Sequence, residues 1–118
     1  MESFTQPISE RLRARALALP ETSEGTSCVN RAFKARKKNF LFVGEKPDQV
    51  RVMLKLDRSL EQARALADPR VGVGTNGWVT VLFPPGDVPH PDLLTAWVEE
   101  SYRLLAPKTL VKQLGASG

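Results

Sequence analysis

Ile8, Leu12, Ala16 and Leu19 recur at helical spacing, so Pro7 to Leu19 is expected to form an amphipathic helix with one apolar stripe, ended by Pro20. The small and acidic run from Glu21 to Gly25 reads as a connecting loop. Thr26 to Ala35 is a strand candidate with Val29 and Phe33 on one face. Asn39 to Val43 is another, its Phe40 and Phe42 alternating with Leu41 and Val43 so that both sides can be buried. Arg36-Lys37-Lys38-Asn39 is polar enough to be the hairpin turn between them. Gln49 to Leu56 alternates most cleanly, with Val50, Val52, Leu54 and Leu56 pointing one way and Arg51, Met53 and Lys55 the other. The turn before it is Gly44 to Asp48.

Ser59 with Gln62 three residues on resembles a capping box, which predicts a short helix from Ser59 to Ala67. The glycine-rich stretch from Val71 to Gly77 is expected to be a loop, and Trp78 to Phe83 a strand stopped by Pro84-Pro85-Gly86-Asp87. Pro91 suits the first position of a long final helix whose Leu94, Trp97, Val98, Ser101 and Leu105 share one side. Pro107 interrupts it; a further helical turn is expected from Lys108 to Leu114, then a loose tail from Gly115 to Gly118. Helix, strands, short helix, strand and long helix in that order predict an α+β fold, an antiparallel β-sheet with the N-terminal and C-terminal helices packed on one face.

The 118 residues, 42% hydrophobic and 25% charged, suit a single domain, 1–118, with one core. Cys28 has no partner for a disulfide, and one Cys with one His, His90, does not make a four-ligand zinc site. No metal and no cofactor are expected. Met1 to Pro7 lacks the pattern of a secretory signal, and no stretch approaches the roughly 20 apolar residues of a membrane span. The expected location is the cytoplasm, without a membrane partner.

Charge changes the picture at one place. Lys and Arg number 17 against 13 Asp and Glu, and five of the cations, Arg31, Lys34, Arg36, Lys37 and Lys38, sit together with no carboxylate among them. Such a cluster can attract phosphate backbones and release their counterions. Phe33 or Phe40 beside it would add the planar surface of a basic and aromatic strand platform. The plainer alternative is that the aromatics fill the core and the cations solvate a turn. A strand also places Arg31, Phe33 and Ala35 on one face and Lys34 and Arg36 on the other, so the charges project together only if the hairpin twists.

Several local features together resemble the MmcQ/YjbR-like family, whose fold is similar to the bacterial frataxin (CyaY-like) sandwich. They are Leu19-Pro20, Phe33-Lys34 before the basic turn, Leu54-Lys55-Leu56, Gly77-Trp78-Val79, and Ser101-Tyr102 with Leu104-Leu105. The resemblance implies the two-layer sandwich and a DNA-binding role. Many members carry Lys and His shortly before the Trp, where Thr75, Asn76 and Gly77 stand in this chain, so no role of that basic pair transfers. Frataxins hold iron on a carboxylate-rich first helix; Arg11, Arg13 and Arg15 in this one would repel hard cations.

Two functions follow as expectations. The first is a DNA-binding module using Arg31, Lys34, Arg36, Lys37 and Lys38, with Arg11, Arg13 and Arg15 as a second basic face. The second is a protein-interaction or small-ligand-binding domain whose surface combines Lys55, Trp78 and Tyr102 with the Val71 to Gly77 loop. The plainer reading of Trp78 and Trp97 is core packing with bonded N–H groups. The glycine loop lacks a Walker Lys-Ser/Thr and leads into a strand, which argues against a phosphate cradle. His90 reads as a cap or exposed residue, Cys28 as a buried thiol on a strand, and Glu99 and Glu100 as surface partners of Arg103. No nucleophile, base and orienting acid recur, so no enzymatic activity is expected.

Overall fold

The computed structural model describes residues 8–27 and 30–117. Helix α1 (Ile8–Leu17) buries Ile8, Leu12 and Ala16 along its predicted stripe, and the chain turns back at Leu19, which is itself 3% exposed. Pro7, the expected first residue of this helix, lies outside the described residues.

The stretch read as a loop is instead an edge strand, β1 (Thr22–Ser27), paired antiparallel with β2 (Asn30–Ala35). Hydrophobic alternation missed it because its inward positions are polar, and two of them, Thr22 and Glu24, bond to α1 and the turn after it. The Thr22 hydroxyl donates to the Ala16 and Leu19 carbonyls at 2.9 and 3.0 Å, and Glu24 accepts from Arg13 at 2.7 Å. The single strand expected from Thr26 to Ala35 is therefore parts of two. Cys28 and Val29 lie outside the described residues.

The β2 to β3 connection is tighter than predicted. Only Arg36 and Lys37 separate Ala35 from its partner Lys38, and Arg36 takes a φ of 58° to make the turn. Strand β3 (Lys38–Lys46) carries one extra residue: Phe33 pairs with Leu41 and Lys34 with Asn39, leaving Phe40 as a bulge. The bulge lets Phe40 and Leu41, consecutive in sequence, both enter the core, where alternation alone would split them between faces.

Strand β4 (Gln49–Lys55) follows, then helix α2 (Leu60–Ala65), edge strand β5 (Val71–Val73), a turn of 3-10 helix (Thr75–Gly77) and β6 (Trp78–Phe83). The glycine stretch thus contributes a short strand where a loop was expected. The six strands run antiparallel in the order β1-β2-β3-β4-β6-β5. Helix α3 (Pro91–Leu105) spans β3 and β4, with α1 beside it, and α4 (Lys108–Ser117) extends through residues predicted to be a loose tail. The fold is α+β, with the helices on one side of the sheet.

The core lies between them. Val50, Val52, Leu54, Val79, Val81 and Phe83 from the sheet meet Leu12, Leu94, Trp97, Val98 and Tyr102 from the helices. Each such buried side chain contributes about 1.5–3 kcal/mol. Tyr102 meets Phe40 edge-on at 5.4 Å between ring centroids. Trp97 packs in the core as the plainer reading expects, although its indole N–H has no partner among the described residues.

The expected capping box at Ser59 does not form, whereas His90 is exposed, as one of its two readings has it. Ser59 makes no side-chain cap of its own; its hydroxyl donates to Glu100 at 2.6 Å, and Glu100 also accepts the N–H groups of Asp57 and Ser59. A residue of α3 thus takes the place expected of Gln62. His90 opens α3 with a φ of 48° and no side-chain cap, and its Nε2 lies 3.2 Å from Asp68. Among the described residues no helix is long and apolar enough to cross a membrane.

Candidate functional site on the open face of the sheet

Pairing register decides which side chains look away from the helices. Phe42 pairs with Met53, which pairs with Thr80; Gly44 pairs with Arg51, which pairs with Leu82; Lys46 pairs with Gln49, and Lys55 with Trp78. These residues alternate with the buried Val43, Val52, Leu54, Val79 and Val81, so they share the opposite face. Ala32, beside Phe42, and Lys34, beside Asn39, extend it across β2. No described helix covers this face.

The face has an apolar middle. Phe42 and Trp78 are half-buried with ring centroids 6.1 Å apart, Met53 lies beside Phe42 in register, and Leu82 is 39% exposed. Lys34 and Lys55 border that middle on one side, and Arg51 and Lys46 on the other. No Asp or Glu occupies a strand position on this face; Glu45, between Gly44 and Lys46, points to the covered side with Val50, and Asp48 lies in the turn between β3 and β4. Among the described residues none of the four cations has a carboxylate within 4.0 Å, and Arg51 bonds only the Met53 sulfur at 3.2 Å.

Two backbone devices hold the face in shape. The bulge at Phe40 separates it from Lys55, the partner that the β3–β4 register would give it, and the Ser101 hydroxyl fills the gap. It donates to the Phe40 carbonyl at 2.6 Å and accepts the Lys55 N–H at 2.9 Å, so both backbone groups stay bonded. The Gly77 carbonyl accepts the Leu56 N–H at 2.9 Å; the glycine has a φ of 83°, and a Cβ on it would sit 2.5 Å from the Leu56 oxygen. Only glycine permits that approach, which sets Trp78 beside Lys55.

The hairpin cations do not converge. Arg31 faces the helices, 3.3 Å from Glu10, 3.9 Å from Glu24 and 4.0 Å from Glu45. Arg36 makes a forked pair with Glu21 at 3.0 and 3.1 Å, which raises its own pKa and lowers that of the Glu21 carboxyl. Lys37 is at the tip and Lys38, opposite Ala35, is on the helix side; both are exposed. Lys34 alone of the five reaches the open face. Phe33 and Phe40, considered as its aromatic neighbours, are fully buried, and Phe42 takes that place.

The second basic face dissolves in the same way. Arg11 pairs with Asp92 at 3.2 Å, Arg13 with Glu24, and Arg15 with Glu99, which also holds Arg103 at 2.9 Å. Glu100 is engaged by the segment that opens α2, so only Glu99 of the two pairs with Arg103.

Lys55 and Trp78 are neighbours on the open face, but Tyr102 is not with them. It is fully buried on the other side of the sheet, its hydroxyl donating to the Pro20 carbonyl at 2.7 Å, and burial pushes its pKa up. No single surface contains all three. The Val71 to Gly77 segment borders Trp78 through the β5–β6 pairing and the Gly74 N–H, which donates to the Trp78 carbonyl at 2.8 Å.

The family model for YjbR proteins matches residues 17–104, from the last residue of α1 almost to the end of α3, all six strands included. The chain belongs to the YjbR family. The matched span holds both devices of this YjbR protein's open face, Ser101 under the bulge and Gly77 before the Trp. It also holds Lys34, Lys46, Arg51 and Lys55. The search of curated proteins found no match to the chain.

Reasoning from sequence missed Lys46, Arg51 and Phe42 as site residues. Arg51 and Lys55 were legible as the outward side of β4. What hid their importance was the contiguous cationic run, which stands out in sequence but is divided among three directions in space.

Proposed function

We propose that this YjbR-family protein is a small cytoplasmic, non-enzymatic nucleic-acid-binding domain that meets the phosphate backbone of DNA with the open face of its sheet. The observation that carries the proposal is the set of Lys34, Lys46, Arg51 and Lys55 around Phe42 and Trp78, without a carboxylate on the strand positions between them. Cations on one surface hold a phosphate backbone by releasing its condensed counterions, and these four retain that capacity because no acid of the sheet competes for them. Contacts of this kind position a strand without reading its sequence. Lys37 at the hairpin tip lies outside the face and contributes at most an accessory contact.

Fluorescence anisotropy of labelled oligonucleotides, titrated between about 50 and 200 mM salt, tests this directly. With four phosphate contacts, log K against log salt should fall with a slope of about −3 to −4. Arg51→Glu with Lys55→Glu should weaken binding at least tenfold and flatten the slope by about half. Absence of binding at the lowest salt, or an unaltered isotherm in the folded double variant, rejects the proposal.

A further inference from the structure

We infer that the open face takes single-stranded nucleic acid in preference to duplex, with nucleobases lying on the Phe42 and Trp78 rings. The inference rests on the nucleic-acid reading above and adds the strandedness of the ligand and the residues that select it.

The width of the sheet disfavours a duplex. Six strands about 4.8 Å apart make a surface about 24 Å across, twice the roughly 12 Å width of the duplex major groove. Such a face does not enter a groove; against a duplex it touches only the phosphate ridges. The element nearest to a groove-reading ribbon is the β2–β3 hairpin, but β1 flanks it as far as Ala35 and, of its two turn residues, Arg36 is already committed to Glu21, which leaves Lys37 as the turn's cation.

The arrangement of chemistry on the face favours a single strand. Phe42, Met53 and Thr80 form one cross-strand row, with Lys55 and Trp78 in the row on one side and Arg51 and Leu82 in the row on the other. Rows two residues apart along a strand are about 6.8 Å apart, so apolar surface and cations interleave at the scale of a nucleotide. A duplex hides its base faces in the stack and offers this apolar middle nothing to match. A single strand offers both parts at once, phosphates for the cations and planar faces for the rings. Stacking on aromatics is indifferent to base identity.

The two tryptophans make the preference measurable. Trp97 is 2% exposed in the core, whereas Trp78 is half-buried on the face, so a bound base quenches one and spares the other. Oligothymidine of about 12 nucleotides, an abasic strand with the same phosphates, and a blunt duplex are titrated while tryptophan emission and anisotropy are followed. The expected result is tighter binding of oligothymidine than of duplex, with quenching that Trp78→Phe removes. Trp78→Ala should weaken single-strand binding by about tenfold, the range set by one lost stacking contact, and the abasic strand, which loses the contacts of both rings, by more than that. Duplex binding as tight as oligothymidine, or oligothymidine binding without quenching, overturns the single-strand inference and leaves the nucleic-acid reading in place. Binding of none of the three overturns both. The quenching arm uses the unmodified protein, so it decides the matter even where Trp78→Ala does not fold.

Discussion

The side of the sheet under the helices and the side facing away from them are built from alternate residues of the same strands, yet they treat charge in opposite ways. Beneath α1 and α3, Arg31 has three carboxylates around it, Glu45 accepts the Ser9 hydroxyl at 2.7 Å, and Glu24 holds Arg13. On the open side four cations stand without one among the described residues. A cation matched within the fold is of little use to a polyanion, because an incoming phosphate must first displace its carboxylate. The number of basic residues in a stretch of sequence is therefore a poor guide to binding; which side of the strand they take, and what already faces them, decides more.

The contrast can be broken most severely from the covered side. Ser101→Ala removes the hydroxyl that joins the Phe40 carbonyl to the Lys55 N–H and leaves both without partners. We expect a loss of about 2–4 kcal/mol in urea unfolding, with Ser101→Thr losing less. A neutral result would show that the bulge closes without the hydroxyl.

Gly77→Ala comes next, because it forces a Cβ against the Leu56 oxygen in a left-handed backbone. The expected cost is about 1–3 kcal/mol. Single-strand affinity should fall along with stability, since Trp78 is the next residue. Wild-type stability in this variant would show that the tryptophan can be set in place without a glycine before it.

Charge reversal on the open side should leave folding almost untouched. Arg51→Glu with Lys55→Glu is expected to stay within about 0.5 kcal/mol of wild type while losing binding. Unfolding of this variant would mean that the cations support the sheet, and the proposed division between faces would fail.

Acid should act on the covered side and the loops while leaving the open side alone. Arg70 bonds hold the Asp68 carboxyl well below its ordinary range, with His90 adding to the effect. Burial pushes Glu100 up, but the Ser59 hydroxyl and the Asp57 and Ser59 N–H groups outweigh it, so Glu100 also lies below its usual value. A lowered folded pKa means stabilisation that is present above the unfolded value and lost as pH falls through the folded one. Melting temperature should therefore decline below about pH 5, less steeply in Glu100→Gln, and with unchanged steepness in Arg51→Gln with Lys55→Gln, which adds no group that titrates in this range. Equal slopes in all three would show that Glu100 does not contribute to the acid response.

How much of this was legible in the sequence depended on the kind of signal. The core strands β4 and β6 and the helix α3 showed themselves through period alone, since Val50, Val52 and Leu54 or Leu94, Trp97 and Val98 repeat at the spacing of their element. The edge strands did not. Thr22 and Glu24 face inward as polar residues because α1 supplies their partners, and that pairing is invisible without the fold. The bulge at Phe40 was likewise hidden, since it depends on a hydroxyl 61 residues away. The site was half legible: Lys34, Lys55 and Trp78 were singled out, whereas Tyr102, Arg31 and Arg36 turned out to be occupied within the molecule.

The difference between the faces is tested most directly by an amide and side-chain chemical-shift map of the labelled protein during titration with oligothymidine. If the open side is the binding surface, Phe42, Arg51, Met53, Lys55, the Trp78 indole and Leu82 shift together at one affinity, while Lys37, Lys38 and the helix residues Arg11, Arg13 and Arg15 stay in place. Shifts concentrated at the hairpin tip or along α1, with the Trp78 indole unmoved, would place binding elsewhere and refute the division of charge between the two sides.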